Sequence, residues 1–105
     1  MKPVLFAVSL FPAIAFAAEG DHSLTISNHR FIPDQLIIPA DKKIKLVISN
    51  DDSTPEEFES YTLNREKVIP GNSKASIYVG PLEPGRYEFI GEFHDATARG
   101  VIQAE

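Results

Sequence analysis

The sequence predicts an all-β fold, a sandwich or barrel of short strands, and three observations point there. Apolar and polar residues alternate with period two in one segment after another. Pro and Gly cluster between those segments at intervals suited to short strands. No stretch carries the apolar spacing of a convincing helix, and there is no internal repeat or low-complexity linker.

The elements follow in chain order. Ser23-Leu24-Thr25-Ile26-Ser27 alternates strictly, and Gln35 to Pro39 is a short apolar strand. Lys43 to Asn50 puts Ile44, Leu46 and Ile48 on one face, and Lys74 to Val79 does the same with Ala75, Ile77 and Val79. Arg86 to Ile90 continues the pattern and Gly100 to Ala104 closes it. Turns are expected at Ile32-Pro33-Asp34, Pro39-Ala40-Asp41, Pro70-Gly71-Asn72 and across Gly80 to Gly85. One polar side per strand suggests an antiparallel sheet packed on one face. Residues 58–69, FESYTLNREKVI, admit both a strand and a short helix.

The first residues stand apart. MKPVLFAVSLFPAIAFAA has a basic Lys2, an apolar run interrupted by Pro12, and Ala15-Phe16-Ala17 in the small-x-small pattern of a cleavage site. It reads as a secretory signal peptide over 1–18, leaving one domain over 19–105. No second apolar run is long enough to span a bilayer, so direct membrane insertion is not expected. Without Lys2 the chain has 9 bases against 15 acids, a net charge of −6. That argues against nucleic acid as a partner and favours cations or a basic protein surface.

There is no cysteine, and the one methionine is Met1. Thiol catalysis, zinc fingers, iron–sulfur clusters and thiolate copper are therefore excluded, as is thioether ligation after export. No GxSxG elbow, phosphate loop or dinucleotide fingerprint is present. Paired carboxylates for glycoside hydrolysis stay open on residue types, although a domain this small offers little cleft for a polysaccharide.

Three histidines remain. His22 is expected to be a frayed surface residue, and His29 sits at the end of the first strand. His94 has company, with Glu92 two residues before it and Asp95 directly after. Imidazole with carboxylate suits Cu(II), Fe(II), Fe(III), Zn or Mn without choosing sharply among them; the competing reading is a solvated acidic loop.

The most acidic stretch is NDDSTPEEFES, residues 50–60, in which no base offsets Asp51, Asp52, Glu56, Glu57 and Glu59. If Phe58 points into the core, Glu56 and Ser60 lean with it, while Glu57 and Glu59 face the other way. The run is then not one carboxylate cage. Either a turn at Pro55 re-aims part of it, or two faces carry acid for different reasons; an exposed strand edge guarded by charge is the plainer reading. For Glu66, between Arg65 and Lys67, a salt bridge is expected ahead of ligation.

Over nearly all of residues 19–105 the chain resembles the cupredoxins, small Greek-key β-sandwiches that carry copper at one end. Ordinary members read N-x-D-x-x-x-H-x-F, where the His is the first copper ligand; here the positions are Asn50, Asp52, Glu56 and Phe58. They then read Y-x-F-x-C-x-x-H followed by Met; here these are Tyr87, Phe89, Gly91 and His94, with Arg99 near the Met position. Only His94 of the usual ligands is kept, so a blue copper centre is not expected.

Several longer stretches resemble a specialised branch, the periplasmic cupredoxin-like proteins of bacterial iron-permease systems, of the EfeO N-terminal domain and FtrB kind. They are H-R-F-x-P-x-x-L at 29–36, T-P-E-E-F-E-S at 54–60, R-E-K-V-I-P-G at 65–71, G-P-L-x-P-G-R-Y at 80–87 and G-E-F-H-x-x-T-A at 91–98. The resemblance implies a periplasmic protein that supports ferrous iron uptake, oxidising Fe(II) to Fe(III) for an inner-membrane iron permease and a periplasmic iron-binding partner. It implies a metal site of Cu(II) and/or iron at the acidic corner. The candidate ligands are His94 and Glu92 first, then Glu56, Glu57, Glu59 and Asp95, with His29 reaching the same pole. Carboxylates in place of thiolate make a hard site, which stabilises Fe(III) over Fe(II) and so favours oxidation. Two other functions fit the same residues: a copper or iron carrier without turnover, and a metal-free acidic docking domain.

Overall fold

The computed structural model describes residues 21–105, so the expected signal peptide lies outside the described residues. The described residues form nine strands: β1 (Asp21–Ser27), β2 (Arg30–Ile32), β3 (Gln35–Ile38), β4 (Ile44–Asn50), β5 (Glu56–Ser60), β6 (Arg65–Ile69), β7 (Ser73–Val79), β8 (Gly85–Gly91) and β9 (Arg99–Ala104). The one helical feature among the described residues is a 3-10 turn over Glu92–His94. Two sheets face each other, ordered β2-β1-β4-β7 and β3-β9-β8-β5-β6. The period-two positions of both sheets turn inward. Leu24, Ile26, Phe31, Ile44, Leu46, Ile48, Ile77 and Val79 from one sheet meet Ile38, Phe58, Ile69, Phe89, Ile102 and Ala104 from the other.

Three expectations are revised and one open reading is decided. The sheets are mixed, because β1 lies parallel to β4 and β3 parallel to β9. Alternation reports which face is buried and is blind to strand direction. Residues 58–69 are two antiparallel strands, with Ser60 opposite Arg65 across a turn, and not a helix. Arg30–Ile32 forms an unforeseen strand, too short before Pro33 to show a period. His22 is no frayed end; it lies in β1 opposite Leu46 of β4.

Three connections converge at one end of the sandwich. The β1–β2 turn consists of Asn28 and His29, both left-handed at φ 53 and 57. That is the two-residue hairpin geometry matched to strand twist, and Asn and His are among the side chains that tolerate it. The β4–β5 loop is pinned by buried Asn50. Its Nδ2 donates to the carbonyls of Thr54 at 2.9 Å, Ile69 at 3.1 Å and Pro70 at 3.3 Å, while its Oδ1 accepts from the Asp52 amide at 3.0 Å. The β8–β9 loop closes on itself, with the Gly91 amide donating to Ala98 O and the Ala98 amide to His94 O, both at 2.8 Å. Beneath it lie three rings. Phe89 meets Phe31 edge-on at 4.8 Å and stacks on Phe58 at 5.1 Å between centroids.

Candidate metal centre

Strand β5 carries acid on both faces, as its alternation with Phe58 predicts. Glu56, Phe58 and Ser60 are buried, and Glu57 and Glu59 lie outward and half-buried. The inward and outward carboxylates do different things.

Glu56 is 1% exposed. Its Oε1 accepts the amides of Glu57 at 3.0 Å and Phe93 at 2.9 Å, and its Oε2 lies 2.6 Å from His94 Nδ1. The buried Glu56 carboxyl and the His94 imidazole thus share one short hydrogen bond through Oε2 and Nδ1. The His94 ring stacks on His29, with centroids 3.6 Å apart and planes 13° from parallel. His29 is held in turn by Asp52, whose carboxylate accepts the amides of Asn28 at 2.8 Å and His29 at 2.9 Å. Asp52 Oδ2 also lies 3.5 Å from His29 Nδ1. The His29 amide bond lowers the Asp52 pKa, partial burial opposes this, and the Asn28 amide and the two imidazoles add to the lowering. On the far side of the turn, Thr97 Oγ1 donates to His29 O at 2.6 Å.

A thiolate copper site does not fit this pole. The position where the resemblance places a Cys is Gly91. A Cβ built there would sit 2.7 Å from Glu56 Cδ, 2.9 Å from Glu56 Oε2 and 2.7 Å from Ala98 Cβ. No side chain has room at residue 91 while Glu56 is in place.

The outward carboxylates gather on the β5–β6 face. Ligand atoms of Glu57, Glu59 and Glu66 lie within 4.8 Å of one another. The register explains this, since Glu59 stands directly opposite Glu66 and Glu57 opposite Val68. Like charges directly opposite across two strands destabilise a sheet. The Glu57 pKa is raised, first by partial burial and then by the charges of Glu66, Glu59 and Glu56. Glu92 joins from the 3-10 turn, and its pKa is raised first by the charge of Glu59, then by partial burial, Asp95 and Glu57. Tyr61 is raised too, chiefly by its hydrogen bond to Glu59 and then by the charges of Glu59 and Glu92.

The expected candidates therefore divide. Glu56, His94 and His29 meet at the pole. Glu57, Glu59 and Glu92 meet on the outer face, with Asp95 beside Glu92. Three participants were outside the candidate set. Asp52 had been noted only as part of the acidic run and of a pattern, and Tyr61 only within the segment 58–69. Glu66 makes no ion pair among the described residues and joins the carboxylates instead, contrary to the expected salt bridge. Its neighbour Arg65 spends its guanidinium on the carbonyls of Tyr78 and Asn64. The signal for Glu66 was the β5–β6 register, hidden while residues 58–69 had two readings.

Comparison with known proteins agrees with this architecture. The family model described as a cupredoxin-like domain matches residues 3–104. An uncharacterized protein of Rickettsia prowazekii (strain Madrid E), RP394, is 46% identical over 79 residues, which is 75% of this chain and 63% of that protein. The chain thus spans under two thirds of that relative's length. A purple cupredoxin from Nitrosopumilus maritimus superposes with TM-score 0.61 at 18% identity, covering 79% of this chain and 98% of that one. Auracyanin A, a blue copper protein from Chloroflexus aurantiacus, does so with TM-score 0.69 at 10% identity, covering 81% and 98%. At such identities the two structures attest the fold alone. The family match and the shared two-sheet architecture lead to one conclusion: the chain belongs to the cupredoxin-like domain family.

Proposed function

We propose that this chain is a periplasmic metal-binding protein that serves ferrous iron uptake, taking Fe(II) on the outer face of β5–β6 and favouring its oxidation to Fe(III). The observation that carries this reading is the carboxylate set of Glu57, Glu59 and Glu66, whose ligand atoms lie within 4.8 Å of one another with Glu92 alongside. Two of these side chains face each other across paired strands, an arrangement that costs stability until a cation sits between them. The Glu57 pKa is raised by burial first and then by Glu66, Glu59 and Glu56, and that of Glu92 by Glu59 first, so the neighbouring carboxylates contribute to both.

All-oxygen ligation suits Fe(II), Fe(III) and other hard cations, and negative oxygen ligands gain more from Fe(III) than from Fe(II). Each bound Fe(II) gives up one electron. Dioxygen is the acceptor we assign, and with protons from solvent it is reduced to water. The Fe(III) product would pass to a periplasmic iron-binding partner and an inner-membrane iron permease. Cu(II) is the alternative guest of the same carboxylates. Export to the periplasm is supported by the apolar N-terminal segment with its Ala15-Phe16-Ala17 site.

The test is Fe(II) loss in aerated buffer, followed with a ferrous chelator, for the chain lacking residues 1–18 and for its Glu59→Gln/Glu66→Gln variant. Oxidation faster than buffer in the first and at the buffer rate in the second is expected. Binding without oxidation would leave a carrier, and no binding would leave a docking surface.

A further inference from the structure

We infer that Glu56 stands in for a metal ion at the pole: its buried carboxylate ties β5 to the 91–98 loop, so that this end of the sandwich closes with no ion and His94 Nδ1 serves as a hydrogen-bond partner of Glu56 and not as a ligand. This inference is independent of whether the outer face takes iron.

The first ground is what Glu56 holds. An ion at such a site would draw together side chains from separate segments. Here the carboxylate does this by itself, accepting from its own strand at Glu57 N and from the 3-10 turn at Phe93 N, and sharing a hydrogen bond with the imidazole at His94 Nδ1. A carboxylate buried to this degree is tolerated only when such donors surround it. Among the described residues no buried side-chain polar atom is left without a partner, so the buried part of the pole calls for no ion.

Distance is the second ground. Glu56 Oε2 and His94 Nδ1 lie 2.6 Å apart. An ion bound by both at ~2.0–2.1 Å and a near-tetrahedral angle needs its two ligand atoms ~3.3 Å apart. The separation observed is that of a short hydrogen bond. To admit an ion at Nδ1, the chain would have to break that bond and expose Glu56.

The third ground is volume. The Glu56 carboxylate fills the space a side chain at residue 91 would need, to within 2.7 Å of a Cβ there. Glutamate at 56, with Ala98 beside it, thus requires glycine at 91. Finally, the His29 ring covers one face of His94 at 3.6 Å with the planes 13° apart. Lone pairs of ring nitrogens lie in the ring planes, and an ion close to one ring's plane lies well off the plane of the other.

The experiment uses the chain without residues 1–18, carrying Glu57→Gln/Glu59→Gln/Glu66→Gln so that the outer carboxylates are silent. Its melting temperature is measured with EDTA and with excess Zn(II) or Cu(II), and again after adding His94→Ala. Glu56→Gln is measured in the same background. The inference predicts no metal-induced rise that depends on His94, and a loss of ~5–10 °C for Glu56→Gln. A Glu56→Gln protein that does not fold at all agrees with that loss, and the metal arms then decide on the folded background. The inference is overturned if Zn(II) or Cu(II) raises the melting temperature and His94→Ala abolishes the rise, or if Glu56→Gln melts where its parent does. Silence of the outer face toward iron would sink the proposed function and leave this inference standing.

Discussion

Gly91→Ala is the substitution whose sign the structure fixes most sharply. Gly91 has φ −93° and ψ 107°, a conformation open to any L-residue. In free space the change would stabilise the fold by ~0.4–1 kcal/mol, because alanine restricts the unfolded chain. Space is what is missing. The new methyl would lie 2.7 Å from both Glu56 Cδ and Ala98 Cβ and 2.9 Å from Glu56 Oε2, where carbon atoms pack at ~3.5–4.0 Å. Overpacking of a closed site costs ~1–3 kcal/mol, and pushing Glu56 off His94 forfeits a hydrogen bond to a charged group worth ~1.5–3 kcal/mol. The net expectation is a loss of ~3 kcal/mol, or ~12 °C or more in melting temperature for a domain of this size. Thermal and urea unfolding of the two proteins measure it, together with a double-mutant cycle against Glu56→Ala. The methyl should cost less by ~1–2 kcal/mol when the carboxylate is gone, Ala98 alone remaining in its way. A neutral or stabilising Gly91→Ala, or no coupling to residue 56, would refute the packing on which the account of the pole depends.

Other expectations follow from the same geometry. Asp52 has a folded pKa below its ordinary 3.8, so the stability it supplies is present above that value and is lost as pH falls through the folded one. The stability gap between the parent and Asp52→Asn should therefore narrow on acidification below pH 3.8, as read by urea midpoints; a constant gap would contradict it. Glu57 and Glu92 carry the opposite sign. Their raised values mean that the folded chain holds protons longer, so stability falls as pH rises upward from 4.5, and Fe(II) affinity rises over the same span. Glu59→Gln should flatten both trends and weaken Fe(II) binding ~10-fold, loss of a metal-site group typically costing 10–100-fold, which a competitive chelator assay would detect. Asn50→Ala, which orphans the carbonyls of Thr54, Ile69 and Pro70, should cost ~2–4 kcal/mol in urea unfolding and leave Fe(II) affinity at the parent value.

Much of this was legible in the residues. Alternation located five of the nine strands described and a short apolar run a sixth, and the placing of Phe58 gave the orientation of Glu56 against Glu57 and Glu59. What periodicity misses is pairing. It does not say that β1 runs parallel to β4, nor that Glu66 faces Glu59, because both depend on register between segments. The pole was half visible. Glu56 in place of a His and Gly91 in place of a Cys each read as a lost ligand, while their joint meaning is steric. The carboxylate of one occupies the side-chain space of the other, and residues 56 and 94 meet across 38 positions of chain. The stacking of His29 on His94 has no sequence signature either; it arises because a two-residue turn, fixed by Asp52, delivers one ring onto the other.

Anaerobic calorimetric titration of Fe(II) into the chain without residues 1–18 is the measurement closest to the central claim. It is run beside the Glu57→Gln/Glu59→Gln/Glu66→Gln and His94→Ala variants. The account predicts stoichiometric binding that the three glutamine substitutions abolish and His94→Ala leaves intact. No binding by the parent, or binding that survives the glutamine substitutions and disappears with His94, would contradict it.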